Sequence, residues 1–136
     1  PHSGVGRAHK VGKEEIVGLL TALDLFIGLD PEERRGGWRK LMEELVDACS
    51  GVAHIEPTLV ADRKRPEIPV VHLQLDEEGA GISALDLVEQ LQDGEPCIHA
   101  NPGQVSDGVV IFGPTCLKEG EPEIIGRRLR ELLGGS

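Results

Sequence analysis

The spacing of apolar residues changes at Gly51 of this 136-residue chain, and that change decides the class of fold. Before Gly51 the apolar residues recur every three or four positions, which is the period of a helix. After it they alternate over short stretches, as in strands with one buried face, and helical spacing returns in two later segments. The pattern predicts an α+β fold, an antiparallel sheet of about four strands covered by helices, in the order ααββαββα.

Two helices are predicted before Gly51. The first runs from Lys13 to Ile27 with one apolar stripe. The second begins with Asp30 as its cap and Pro31 at the first helical position. The Gly36-Gly37 pair either breaks this second helix or merely bends it. The stripe of the second helix consists of Trp38, Leu41, Met42, Leu45, Val46 and Cys49.

Four strands and two helices are predicted after Gly51. The stretch AHIEPTLVAD is an edge strand, because Pro57 cannot donate to a ladder, and a loop at 63–66 joins it to IPVVHLQLD. Ser83 caps a short helix that closes at Gly94. The last strands are PCIHA and GVVIFG, with a turn around Pro102-Gly103. The final helix carries Ile125, Leu129, Leu132 and Leu133.

The charge and cysteine usage exclude some classes of function. The chain has 14 Lys and Arg against 24 Asp and Glu, a formal net charge of −10. This balance argues against a nucleic-acid binder or a membrane-surface binder, since both need neutralising cations. No apolar run approaches the ~20 residues of a membrane span. Three widely spaced cysteines favour reduced thiols in a cytoplasmic protein over a disulfide framework.

Positive charge gathers near the start of the chain. Arg7, Lys10 and Lys13 all precede the first acidic residue. Together with the N-terminus of the first helix, they could hold a phosphate or a carboxylate. Glu14 and Glu15 already occupy the favourable end of that helix dipole. The arm is therefore either a site for a small anion or a solvated leader.

Reactive groups elsewhere are sparse. Cys49 continues a helical stripe and is predicted to lie in the core. Cys97 leads a predicted strand two residues before His99, and core packing is favoured for it over pairing of a nucleophile with a base. His54, His72 and His99 all fall in strand-like stretches, without the spacing of a metal site, so none is predicted. Neither a GxSxG elbow nor a Walker-type loop occurs.

Two stretches near the ends of the chain resemble signatures of one enzyme family. GRAHKVGKEEIVGLLTAL begins at Gly6, and GPTCLKEGEPEIIGRRLRELL ends at Leu133. Both are similar to segments of the selenocysteine-synthase-like group of pyridoxal-phosphate enzymes, related to L-seryl-tRNA(Sec) selenium transferase and D-glucosaminate-6-phosphate ammonia-lyase. The matching residues are Gly6, Arg7, Lys10 to Ile16, Gly18 to Leu20, Pro114, Leu117, Gly120, Glu121, Ile124, Arg128, Leu129 and Leu133.

The resemblance implies a two-domain lyase or transferase of aminotransferase fold type I. Residues 1–12 would be an arm between domains and residues 13–136 the small C-terminal domain. That domain would close over pyridoxal phosphate and a small-molecule substrate, both held by a large N-terminal domain that this chain lacks together with the cofactor lysine. The chain alone would then be inactive, and the apolar face of its first helix would favour a homo-oligomer.

The resemblance also gives the basic arm a role. Arg7, Lys10 and Lys13 are the candidates to bind an anionic group of the substrate, and for Lys13 the alternative is that it only caps the helix or packs. Arg7 is the first choice, because its planar guanidinium binds carboxylate or phosphate through two hydrogen bonds.

Two other functions stay open. A stand-alone α+β module could bind a small anion or a partner protein. A small hydrolase using Cys97 and His99 is the least favoured. The terminal signature from Glu121 to Leu133 favours the enzyme family, because a free binding module has no reason to carry it.

Overall fold

The computed structural model describes residues 11–134. Within these residues the helices are α1 Lys13–Gly28, α2 Pro31–Cys49, α3 Glu77–Ala80, α4 Ala84–Gln92 and α5 Glu121–Leu133. The strands are β1 Ile55–Ala61, β2 Pro69–Leu75, β3 Asn101–Gln104 and β4 Val109–Phe112. All strand pairs are antiparallel, and the order across the sheet is β1-β2-β4-β3. The predicted α+β class is confirmed.

The chain divides into two compact units, whose described parts are residues 11–34 and 35–134. The first unit holds α1 and the first turn of α2. None of the side chains of α1 is buried. The predicted cap of α2 is confirmed, because the N–H of Glu32 donates to Asp30 Oδ1 at 2.8 Å. The Arg34 guanidinium lies 4.7 Å from the centre of the Phe26 ring, a cation–π contact.

The main core of the second unit lies between one face of the sheet and helices α2, α4 and α5. Cross-strand register places Leu73 opposite Val110 and Val71 opposite Phe112, so these side chains share the core face. Helix α2 continues through Gly36 and Gly37, which excludes the predicted alternative of a break there. The helical side chains of this core are Met42, Leu45, Cys49, Ala84, Leu87, Val88, Leu91, Ile125, Leu129 and Leu133.

Helix α5 packs closely against the end of α2. A Cβ on Gly126 would overlap the backbone carbonyl of Ala48, so glycine permits this approach. The Arg130 guanidinium donates to that same carbonyl oxygen at 2.6 Å and satisfies it at the end of the helix. This contact fixes the position of α5, whose first turn forms part of the groove described below.

Two further predictions about local structure are confirmed. Strand β1 is at the edge of the sheet and pairs with one neighbour only. Pro57, which has no N–H to donate, is therefore tolerated there. Ser83 caps α4, because its Oγ accepts from the N–H of Asp86 at 3.1 Å. Asp86 Oδ2 in turn accepts from the N–H of Ser83, which completes a capping box. Helix α4 ends at Gln92, two residues before Gly94.

Two parts of the predicted order are wrong. PCIHA is not a strand, because the N–H of Ile98 donates to the carbonyl of Leu91 at 2.9 Å and not to a ladder. The strand there is β3, which contains the predicted turn residues Pro102 and Gly103 at the opposite edge of the sheet. The one-turn helix α3 is an element that the predicted order lacks, and Asp76 caps it by accepting from the N–H of Gly79 at 3.1 Å.

No helix within residues 11–134 combines the length and the apolar character that crossing a membrane requires.

Candidate functional site

A groove of about 560 Å³ opens at one end of the sheet, within the second unit. The β1–β2 loop, the segment before β3, the segment after β4 and the start of α5 line it. Much of the lining is apolar, with Ile68, Val70, Ile111, Leu117 and Ile124 among the side chains that contribute. Concave, mainly apolar sites with a few polar groups are the usual form of a small-molecule site. The groove is therefore the candidate site.

The β1–β2 loop brings a cation to this groove. Asp62 Oδ1 accepts from the backbone N–H groups of Arg65 at 2.8 Å and Lys64 at 2.9 Å. The bond from Arg65, followed by the bond from Lys64, lowers the pKa of the Asp62 carboxyl, because both favour its charged form. The exposed side chain of Arg65 lines the groove. The loop predicted at 63–66 is confirmed, and Asp62 fixes its shape.

Two other polar side chains of the groove also accept hydrogen bonds from backbone close to them in sequence. Glu121 Oε2 accepts from the N–H of Lys118 at 2.8 Å, just before α5. Asn101 Oδ1 accepts from the N–H of Gly103 at 2.9 Å, within β3. Like Asp62, these residues hold the backbone in place, and their hydrogen-bonding capacity is partly used in doing so.

Cys97 and His99 form a pair in the groove. Cys97 Sγ lies 3.4 Å from His99 Nε2, within hydrogen-bonding distance for sulfur. Both side chains are exposed, so the prediction that Cys97 belongs to the core is wrong. The reason is that Ile98, between them, is the buried residue of this segment. Its flanking residues consequently turn toward the groove.

The other two cysteines differ from Cys97. Cys49 lies in the core as predicted, with no exposed surface. Burial raises the pKa of its thiol to about 11, against a smaller opposite effect of Arg130. Cys116 is exposed and lines the groove at the end of a short 3₁₀ turn, Pro114–Cys116. The three thiols thus comprise one buried group and two exposed ones.

The structure describes one of the three predicted anion-binding residues. Arg7 and Lys10 fall outside the described residues. Lys13 is the first residue of α1, is exposed, and belongs to the first unit. The anion site on the arm therefore stays a prediction. Arg65 carries no functional signal in the sequence, because only the fold brings its loop beside the segment containing His99.

The three histidines predicted in strands occupy different settings. Only His72 lies in a strand, β2. His54 precedes β1 with a positive φ of 60° and places Nδ1 3.8 Å from Asp76 Oδ2. His99 lies in the groove. Among residues 11–134, no group of three or more His, Cys, Asp or Glu side chains could hold a metal ion.

Comparison with known proteins relates the chain to one part of larger enzymes. It is 29% identical over 131 residues to D-glucosaminate-6-phosphate ammonia lyase of Salmonella typhimurium, covering 96% of the chain and 34% of the enzyme. It is 30% identical over 132 residues to a 5'-C-glycyluridine monooxygenase-decarboxylase of Streptomyces, covering 97% of the chain and 33% of that protein. No family model matches the chain.

A solved structure of D-glucosaminate-6-phosphate ammonia-lyase superimposes on the fold with a TM-score of 0.77 and 28% identity. The match covers 98% of this chain and 35% of the solved one. The fold and these matches define the chain as a small α+β domain related to one part of a lyase. The resemblance found in the sequence is confirmed, and D-glucosaminate-6-phosphate ammonia-lyase is one of the relatives. The chain spans about a third of that enzyme, as a C-terminal small domain would.

Proposed function

We propose that the chain is the small C-terminal domain of a pyridoxal-phosphate-dependent lyase or transferase. It closes over a cofactor and a substrate that are held by a large domain outside this chain. One observation carries the proposal: 96–98% of the chain aligns with only 34–35% of D-glucosaminate-6-phosphate ammonia-lyase. A domain that works alone would be expected to match relatives of its own size. The remaining two-thirds of such an enzyme is the proposed partner.

The exposed apolar surface of α1 supports the proposal that this helix packs against another domain or chain. Its apolar side chains are largely accessible, for example Ile16 at 48%, Leu20 at 55% and Phe26 at 57%. Val17 and Leu25, which lie off this stripe, are exposed as well. A helix that is apolar on nearly all sides is normally buried. We assign one side of α1 to the large domain and another to a second copy, which makes the enzyme a homo-oligomer.

The described residues do not by themselves fit the cofactor. A covalently held pyridoxal phosphate needs a lysine in a sheltered site, and no lysine is among the residues that line the groove. The lysines of residues 11–134 are all exposed; they are Lys13, Lys40, Lys64 and Lys118. No catalytic step is therefore assigned to this chain. Its proposed contribution is to exclude water and to bind the substrate.

The basic arm is the proposed substrate contact. Changing Arg7 to Ala in the full-length enzyme should raise KM about tenfold or more, because a charge-assisted hydrogen bond contributes roughly 1.5–3 kcal/mol. The absorbance of the bound cofactor should not change. Arg63→Ala is the matched control, since Arg63 is exposed in the β1–β2 loop and is not among the groove residues. An unchanged KM for Arg7→Ala would mean that the arm is only a linker and does not bind the substrate.

The size of the native protein tests the proposal directly. An antibody raised against this chain should detect a band at about three times its 14.6 kDa in the source cell. The purified species should show cofactor absorbance and release ammonia from D-glucosaminate 6-phosphate or a related amino acid. A band at 14.6 kDa would contradict the two-domain proposal.

A second candidate, a stand-alone module that binds a small anion, is favoured by one observation. The groove and the exposed Arg65 at its edge both lie within the second unit and need no other domain. A band at the size of this chain, with binding of a small carboxylate that Arg65→Gln abolishes, would establish that function instead.

A further inference from the structure

We infer that Cys97 is a nucleophilic thiol activated by His99, and that the groove around it is a covalent site for small electrophiles with an apolar body. This inference goes beyond the proposed function and does not depend on it, since it needs neither the cofactor nor the large domain. It rests on three observations, which concern the geometry of the pair, the roles of its neighbours and the lining of the groove.

The geometry of the pair is fixed by the residue between its members. Ile98 is only 8% exposed, and its N–H is bonded to the carbonyl of Leu91 at the end of α4. This anchor turns the side chains of Cys97 and His99 away from the core together. In this arrangement Cys97 Sγ and His99 Nε2 lie 3.4 Å apart. A nucleophile and base within hydrogen-bonding reach are the signature of an activated thiol.

The pair has no evident role in holding the fold. Asp62, Asn101 and Glu121 each accept from a backbone N–H in the groove wall. The bond between Cys97 and His99 joins two exposed side chains of one segment, so it closes no loop and buries no polar group. Such a contact contributes little to stability.

The groove supplies a place for the reagent. Pro96 and Ile98 flank the thiol in sequence, and Ile111 and Ile124 belong to the same lining. An apolar body can therefore be desolvated beside Sγ, while Arg65 and Thr115 provide polar contacts for a carbonyl group. The chemical class of ligand is accordingly a small alkylating or α,β-unsaturated carbonyl compound.

Iodoacetamide is the proposed probe, and it alkylates the Cys97 thiol by nucleophilic substitution. In the tautomer with its proton on Nδ1, His99 accepts the thiol proton at Nε2. The Cys97 sulfur forms a bond to the methylene carbon, the C–I bond breaks, and iodide leaves with the bonding electron pair. The imidazolium then loses its proton to solvent. The thiolate is the reacting species in such alkylations, so a nearby base raises the rate.

The chain contains its own controls. Cys116 lines the same groove and is exposed, and no hydrogen bond or ion pair to it is found in the described part of the chain. Cys49 is fully buried and reports unfolding if it reacts. Site-resolved mass spectrometry of the chain, treated with limiting iodoacetamide at neutral pH, follows all three thiols in one sample.

We expect Cys97 to be alkylated about tenfold faster than Cys116, with Cys49 unmodified. In His99→Gln, which keeps a polar side chain but cannot take the proton, the rate at Cys97 should fall about tenfold while that at Cys116 stays unchanged. Equal rates at Cys97 and Cys116, or an unchanged rate at Cys97 in His99→Gln, would overturn the inference. If Cys49 is alkylated in His99→Gln, that variant is unfolded, and His99→Asn is tested in its place against the same criteria. Neither result bears on the size of the native protein.

Discussion

Helices α1 and α5 have similar apolar spacing but opposite environments. In α5 the apolar stripe is in the core, with Ile125 at 4%, Leu129 at 0% and Leu133 at 6% exposure. In α1 the equivalent stripe is open, with Ile16 at 48% and Leu23 at 47%. Spacing decides that a segment forms a helix and which of its side chains share a face. It does not decide what covers that face.

The sides away from the stripe distinguish the two helices. Helix α5 carries Arg127, Arg130 and Glu131 there, which suit contact with water. Helix α1 carries Val17 and Leu25 off its stripe, and Thr21 and Asp24 are its few polar residues after the first turn. Only α5 is therefore a typical surface helix of a globular unit. The composition of α1 is that of a helix enclosed by partners, which is why the proposed large domain and second copy are assigned to it.

The largest expected effect contrasts a leucine from each stripe. Leu129→Ala should lower the free energy of unfolding of the chain by about 2–5 kcal/mol, because it leaves a cavity in a packed core. Measured at a protein concentration low enough to keep the chain monomeric, Leu23→Ala should change it by less than about 1 kcal/mol, since the side chain is already half exposed and alanine is a good helix former. Urea denaturation followed by circular dichroism gives both values.

An equal loss for Leu23→Ala would mean that the α1 stripe is buried in solution by self-association. In that case the unfolding midpoint of the unaltered chain would rise with protein concentration. A small loss of stability for Leu23→Ala would confirm that the α1 stripe is exposed in the monomeric chain, whereas the α5 stripe is buried.

The second comparison uses a glycine from each helix. Gly126→Ala should cost about 1–3 kcal/mol, because the new methyl group would overlap the Ala48 carbonyl where α5 meets α2. Gly18→Ala should instead stabilise the chain by about 0.5–1 kcal/mol, since nothing lies within 4 Å of the added atom and alanine is favoured in helices. Thermal unfolding of both variants should therefore shift in opposite directions. A stabilised Gly126→Ala would show that α5 can move away from α2.

Much of the fold could be predicted from the sequence, because its signals are local. The stripe of α2, the cap at Ser83 and the edge position of Pro57 all follow from residues a few positions apart. The predicted strand PCIHA is wrong, since Ile98 bonds to the end of α4 and β3 forms further on. Alternation of apolar residues identifies an inward side chain, but the choice between a ladder and an irregular segment depends on distant backbone partners.

The candidate site was less predictable than the fold. Its lining comes from four separate segments between Asp62 and Ile125, and no spacing in the sequence connects them. The two-residue interval from Cys97 to His99 was the one local signal. Side chains two residues apart in an extended segment share one side, but the burial of Ile98 determines that this side faces the groove and not the core.

The last expected effect tests how much water reaches the core beneath α5, where the contrast with α1 is largest. Burial raises the pKa of Cys49 from 9.0 to about 11, so the folded state favours the neutral thiol. Its contribution to stability is fully present below pH 9.0 and is lost as the pH rises through about 11. One pH unit above 9.0 the loss should be about 1.4 kcal/mol.

Cys49→Ala removes this titration while leaving Cys97, Cys116 and the lysines in place. Urea unfolding at several alkaline pH values should consequently show a shallower fall in stability for Cys49→Ala than for the unaltered chain. The absence of tyrosine keeps this range free of phenol titration. Parallel curves for the two proteins would mean that water reaches Cys49, and the core under α5 would then differ from the exposed face of α1 in degree only.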